Sequence, residues 1–328
     1  MGPTEKTIST TIYKEDLVNR YWAYQRTIFP TMEDYFERPY APNGRPPVFK
    51  KPKAWKNVIA KPDVKQEEAN RLLSLLPERE RHKWFRSMNS SQALAQSVFG
   101  NLTIYNHINC LTGLTDDSGE PLLGKVQVSY ENFHMEYEVN YLGEPRSTSL
   151  DGFISGKYQV AIECKFTETE VGLCSRPLLR RSDSNYDSDY CDGTYVQQRG
   201  RMTRCSLTDI GVLYWNYIPQ LFVWQNDADL VPCPINKNYQ LVRNILAACV
   251  RSDGSVSPEY GHVVLIYDER NPAFQQGGNG FTAFEQTRNA LKVPGLLRKC
   301  SWQRIINHLR HETIIPWLAE QLELKYGL

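Results

Sequence analysis

No apolar run among the 328 residues approaches the length of a membrane span, and residues 1–17 are too polar to read as a signal peptide. The expectation is a cytoplasmic chain with no membrane partner. Net charge is nearly absent, because 38 Lys and Arg stand against 37 Asp and Glu, a formal +1. No global basic field announces nucleic acid, so any such binding must come from local patches. Glycine never gathers into a phosphate-cradling loop of the P-loop or dinucleotide type, which argues against a motor or a redox enzyme. Histidine forms no cluster; His308 and His311 have only Glu312 beside them and read as surface or core residues. Eight cysteines are present without a single C-x-x-C pair, and with no secretion signal they do not read as disulfides. Internal repeats of solenoid period are missing too.

What is present is ordinary globular composition, enough for one large domain or two smaller ones. Residues 1–85 read as an N-terminal helical extension. Leu17, Tyr21, Tyr24 and Ile28 fall at helical spacing before Pro30, and Glu67 to Leu76 is a second amphipathic stretch before Pro77. Between them lies an arm rich in proline and lysine. Its core, RPPVFKKPKAWK, interleaves Lys50, Lys51 and Lys53 with Phe49 and Trp55, a pattern able to touch phosphates and stack a base, or equally to serve as a solvated linker. Residues 86–328 read as an α/β domain. A helix runs from Asn89 or Ser90 through Leu102; strands are expected at Val126 to Tyr130 and Phe133 to Tyr141. The second of these alternates, placing Phe133, Met135, Tyr137 and Val139 on one face. About 171–235 is a loop-rich insertion, followed by the helix NYQLVRNILAACVR, the buried strand HVVLIY and a C-terminal helical pair.

The chemistry concentrates in Ser149 to Glu170, SLDGFISGKYQVAIECKFTETE. Two short strands joined through Ser155, Gly156 and Lys157 put Asp151 on the first and Glu163 and Lys165 on the second. Residues two apart on a strand share a face, so Glu163 and Lys165 point together while Val160, Ile162 and Cys164 point the other way. A hairpin brings Asp151 to the same face. On the later helix, Gln240, Arg243 and Asn244 form a polar face at i, i+3 and i+4.

Asp151, eleven intervening residues and then Glu163-Cys164-Lys165 on an apolar strand resemble the PD-(D/E)XK nuclease superfamily, and within it the restriction-endonuclease-like branch of bacterial proteins. The resemblance covers roughly Ser90 to Tyr267. It implies a restriction-endonuclease-like mixed sheet flanked by helices, with the Asp on the second core strand, the E-x-K on the third and Gln240 on the helix that follows. It further implies Mg²⁺ or Mn²⁺ bound by Asp151, Glu163 and the backbone carbonyl of Cys164. Such hard oxygen ligands suit these ions. Lys165 and Gln240 complete the implied catalytic set, Arg243 would hold a neighbouring phosphate, and the substrate would be nucleic acid, DNA in the first instance, in restriction or anti-phage defence. A homodimer would let two sites face two strands. Two features depart from the superfamily. Leu150 precedes Asp151 where many members have proline, and the first helix offers Gln92 and Gln96 where many carry a glutamate. Glu138 is one substitute from the preceding strand, although alternation puts it with Glu136 on a face open to solvent.

Two questions stay open at this level. Cys174, Cys191, Cys205 and Cys233, with sixteen, thirteen and twenty-seven residues between them, all fall in the insertion, where a structural Zn²⁺ or an iron–sulfur cluster would staple a loop-rich segment. Ordinary semi-buried thiols are the other reading. A nuclease-like fold that binds nucleic acid without cutting it is the alternative to catalysis; the intact Asp151, Glu163 and Lys165 set speaks against it. Arg199 to Arg204 is a further basic stretch that could meet phosphates.

Overall fold

The computed structural model describes residues 9–38, 44–198, 200–225 and 230–328. Pro39, where the proline- and lysine-rich arm begins, and Arg199, at the head of the second basic stretch, lie outside them. Helix α1 (Thr10–Ile28) starts at Ser9, whose side chain accepts the N–H of Ile12. Helix α2 spans Gln66–Ser74. Helix α3 is continuous through Ser91–Ala95, a π turn Gln96–Gly100 and Asn101–Ile104, and is capped by Ser90. The strands are β1 (Phe133–Val139), β2 (Thr148–Ile154), β3 (Gln159–Cys164), β4 (Gly261–Tyr267) and β5 (Leu297–Ser301). Helices α4 (Tyr214–Leu221) and α5 (Tyr239–Cys249) lie between β3 and β4, and α6 (Asn279–Ala290) lies between β4 and β5. Helices α7 (Trp302–His311) and α8 (Pro316–Tyr326) follow.

The strands form one sheet in the order β1-β2-β3-β4-β5. Pairings β1/β2 and β2/β3 are antiparallel, whereas β3/β4 and β4/β5 are parallel. A tight hairpin suffices for the former; the latter need crossovers, and α5 and α6 supply them. The inner strands VAIEC and HVVLIY are apolar on both faces because both faces are covered. One core holds α1, α3, α7 and α8 against Val160, Ile162, Cys164, Val264 and Ile266. The other holds α4, α5 and α6 against Ala161, Val263 and Leu265. The molecule is therefore an α/β mixed sheet between two helical layers, the restriction-endonuclease-like arrangement expected.

The first antiparallel pair departs from the expected alternation. Phe133 and Met135 pack into the first core, but Tyr137 and Val139 pack into the second. The break falls at Glu136, whose φ of 47° is in the left-handed region. Strand β2 changes face at the same level, with Leu150 in the second core and Ile154 in the first. Residues 126–130 form no strand, since β1 is the sheet edge and nothing pairs with them. Phe49 is fully buried among Phe29 and Phe36, so it cannot stack a base. Among the described residues no helix is long and apolar enough to cross a membrane.

Candidate active site

Asp151 sits on β2 at the level where pairing with β3 stops, one residue beyond the Gly152–Ile162 pair and directly across from Glu163. In place of a ladder bond, its Oδ2 accepts the N–H of Cys164 at 2.6 Å. Glu163 is buried on β3, and Lys165 follows the strand, its N–H still bonded to the carbonyl of Ile266. The backbone beyond Lys165 is pinned from three sides. The Trp302 indole donates to the Lys165 carbonyl, while Tyr13 and Asn271 donate to that of Phe166. The aromatic residues of α1 and α7 thus fix where the lysine leaves the sheet.

Helix α5 closes the site. Gln240 and Asn244 stand one turn apart on the same face. Gln240 Nε2 donates to Glu163 Oε1 at 2.7 Å, and Asn244 Nδ2 donates to Glu163 Oε2 at 2.7 Å. Lys165 Nζ reaches Glu163 Oε1 at 2.8 Å and donates to Gln240 Oε1 at 2.9 Å. Both oxygens of the glutamate are oriented before any ligand arrives. Gly172 makes this possible: a Cβ there would lie 2.3 Å from Gln240 Oε1.

Glu136 is the residue that strand alternation put on the wrong side. The β1/β2 register sets it opposite Asp151. Its carboxylate accepts Gln92 Nε2 at 2.6 Å and the Ser149 hydroxyl at 2.5 Å. Glu138, the substitute suggested by the sequence, is exposed, and Gln96 is buried with its amide on the Leu72 carbonyl. The helix therefore contributes a glutamine that holds a glutamate from the strand. Glu168 is a further carboxylate near Lys165, held by the Ser91 hydroxyl and the N–H of Phe166.

The electrostatics follow from this crowding. Asp151 is driven well above the usual carboxylate range, first by burial and then by the charges of Glu163 and Glu136. Glu136 is raised by burial, against the lowering effect of its bonds from Gln92 and Ser149. Burial alone would pull Lys165 down, but Glu163, Glu168 and Asp151 outweigh it and the net direction is up, so the ammonium stays charged. The site is a knot of carboxylates with the Lys165 ammonium among them. Hard oxygen donors that repel one another are a donor set suited to a divalent ion such as Mg²⁺. Among the described residues, no three His, Cys, Asp or Glu side chains are already gathered tightly enough to hold one.

The other sequence candidates lie in different surroundings. Arg243 is half-buried on α5 and donates to Asn244 Oδ1 at 3.3 Å, which joins it to the site. Lys50 is engaged by the Glu33 carbonyl and Lys53 lies over the Tyr35 ring, both partners in the N-terminal layer, while Lys51 is exposed. The four insertion cysteines, Cys174, Cys191, Cys205 and Cys233, line one small cavity.

No curated protein and no solved structure matches the sequence. A family profile does: residues 20–327 match the family described as Restriction Endonuclease associating with ARP, and with nearly the whole chain covered the protein belongs to it.

Proposed function

We propose that the protein is a Mg²⁺-dependent nuclease that hydrolyses phosphodiester bonds, with DNA as substrate and restriction or anti-phage defence as its setting. The observation that carries this reading is the constellation of Asp151, Glu163, Lys165 and Gln240 at one end of the sheet, with Lys165 and Gln240 joined through Glu163 and Asp151 bonded to the N–H of Cys164. Asp151, Glu163 and the backbone carbonyl of Cys164 would hold the ion. When bound, it supplies acidification of water and compensation of charge on the phosphate. Lys165, kept protonated by the carboxylates around it, neutralises charge developing on the phosphate oxygens and is a poor general base. Gln240 has both ends of its amide committed, which fixes how it can meet water or the scissile phosphate. Arg243 holds a flanking phosphate. Substrate contact through Lys50, Lys51 and Lys53 belongs to the same proposal and would be sequence-independent and salt-sensitive. Membership in a restriction endonuclease family supports the nuclease reading.

The test is cleavage of plasmid DNA with Mg²⁺, compared with EDTA and with the Asp151→Ala and Lys165→Ala variants. The expected result is cutting by the wild type alone, each substitution lowering the rate by about 10²–10³-fold, as loss of a group acting on the developing charge does. DNA binding without Mg²⁺-dependent cutting would replace this reading with that of a silent nuclease fold.

A further inference from the structure

Cys174, Cys191, Cys205 and Cys233 come from four separate stretches of the insertion, yet all four line a cavity of about 20 Å³. All four are free thiols. Chance does not readily gather half of a chain's cysteines at one point when their sequence separations are so wide. We propose that these four side chains bind one structural Zn²⁺, a site separate from the carboxylate knot of Asp151 and Glu163.

Two features favour an ion. The first is size: the cavity holds one or two water-sized spheres, room for a single ion and cramped for an iron–sulfur cluster. The second is compensating charge. Four thiolates around Zn²⁺ carry a net −2, and Arg204 lines the cavity with a buried guanidinium N–H that lacks an acceptor among the described residues.

Binding would require each thiol to release its proton to solvent, four protons for one ion. Burial pushes the Cys174 and Cys233 thiols up to about 12, and among the described residues no three Cys, His, Asp or Glu side chains are yet close enough to grip an ion. Ligation would draw them inward as the protons leave. The consequence reaches the other site. Cys174 N–H bonds to the Asn236 carbonyl, Cys233 N–H to that of Gly193, and Gly172 packs on Gln240. A staple here clamps the start of α5, the helix that carries Gln240 and Asn244.

The experiment is elemental analysis of the full-length chain purified without chelator. We expect about one zinc per chain, retained in Asp151→Ala and reduced to background in Cys191→Ser and in Cys233→Ser, both at partly exposed positions. Because those variants could fail to fold, wild type is also titrated with a mercurial in the presence of a zinc-sensitive dye. Zinc release should be complete when about four thiols have reacted. Co²⁺ fed to the apoprotein should give the charge-transfer bands of tetrahedral thiolate. Three results would each overturn the proposal: wild type that carries no zinc and takes up neither Zn²⁺ nor Co²⁺, bound iron with broad visible absorption, or zinc content indifferent to both cysteine substitutions. None of them bears on DNA cleavage, so the two readings fail separately.

Discussion

A glutamate held at positive φ inside a strand costs on the order of 1–3 kcal/mol, and such strain persists only where the surroundings impose it. At Glu136 they do, because Gln92 from α3 and Ser149 from β2 each take one carboxylate oxygen. What the strain achieves is a third carboxylate beside Asp151 and Glu163. Glu136→Gln keeps the shape and removes the charge. In plasmid cleavage it should lower the rate by about 10–100-fold, the usual cost of disturbing a group near a metal, and raise the Mg²⁺ concentration needed for half-maximal activity. In metal-free buffer the same variant should melt higher than wild type, because Asp151 loses a repelling neighbour. A Mg²⁺ titration identical to that of wild type would remove Glu136 from the ion's surroundings.

Among the elements, α5 was the most legible in sequence. Leu241, Ile245, Leu246 and Cys249 gave its buried side, and Gln240 and Asn244 its polar one; both now bond to Glu163. Strand β3 was equally plain, since its faces differ so sharply in chemistry. Strand β1 misled, because alternation assumes φ stays negative and Glu136 violates that. Helix α6 and strand β5 were invisible for simpler reasons. The helix opens Asn279-Gly280, which looks like a loop, and the strand is five residues at a sheet edge. The contact of α5 with the loop after β3 was also beyond sequence, and it yields a test. Gly172→Ala would drive a methyl group into the Gln240 amide at a backbone φ of 106°, which L residues rarely adopt. The amide must leave Glu163 and Lys165. We expect cleavage to fall by about 10²-fold, the scale set by an ångström of misplacement at a reacting centre, with the circular dichroism spectrum retained. Full activity in this variant would mean that Gln240 does not orient the reacting groups.

At the scale of the whole molecule, the sequence could not show how deeply the N-terminal residues enter the sheet's first core. Tyr13, Leu17, Tyr21 and Tyr24 are buried there, and the Tyr13 hydroxyl bonds to Asp268 and to the Phe166 carbonyl beside the site. Nor could it show that His262, read as part of a buried strand, is a titratable group sealed in the interior. His262 is 0 % exposed on β4. Its Nε2 lies 2.9 Å from the Leu122 carbonyl, which can only accept, so the proton sits on Nε2, and Nδ1 accepts the Tyr158 hydroxyl at 3.1 Å. Burial, with Arg298 nearby, depresses its pKa to about 3. The unfolded chain binds a proton near pH 6.5 while the folded chain does not, so protonation favours unfolding. Stability should therefore be intact above about pH 7 and fall by roughly 1.4 kcal/mol per pH unit from about pH 6 downward, levelling only near the folded pKa. Urea midpoints measured between pH 7.5 and 4.5 test this, with His262→Gln as the comparison. The glutamine cannot titrate, so its stability should decline less steeply over that range even if it starts lower from imperfect packing. Parallel pH slopes for the two proteins would show that acid sensitivity arises elsewhere, among carboxylates paired in the folded state.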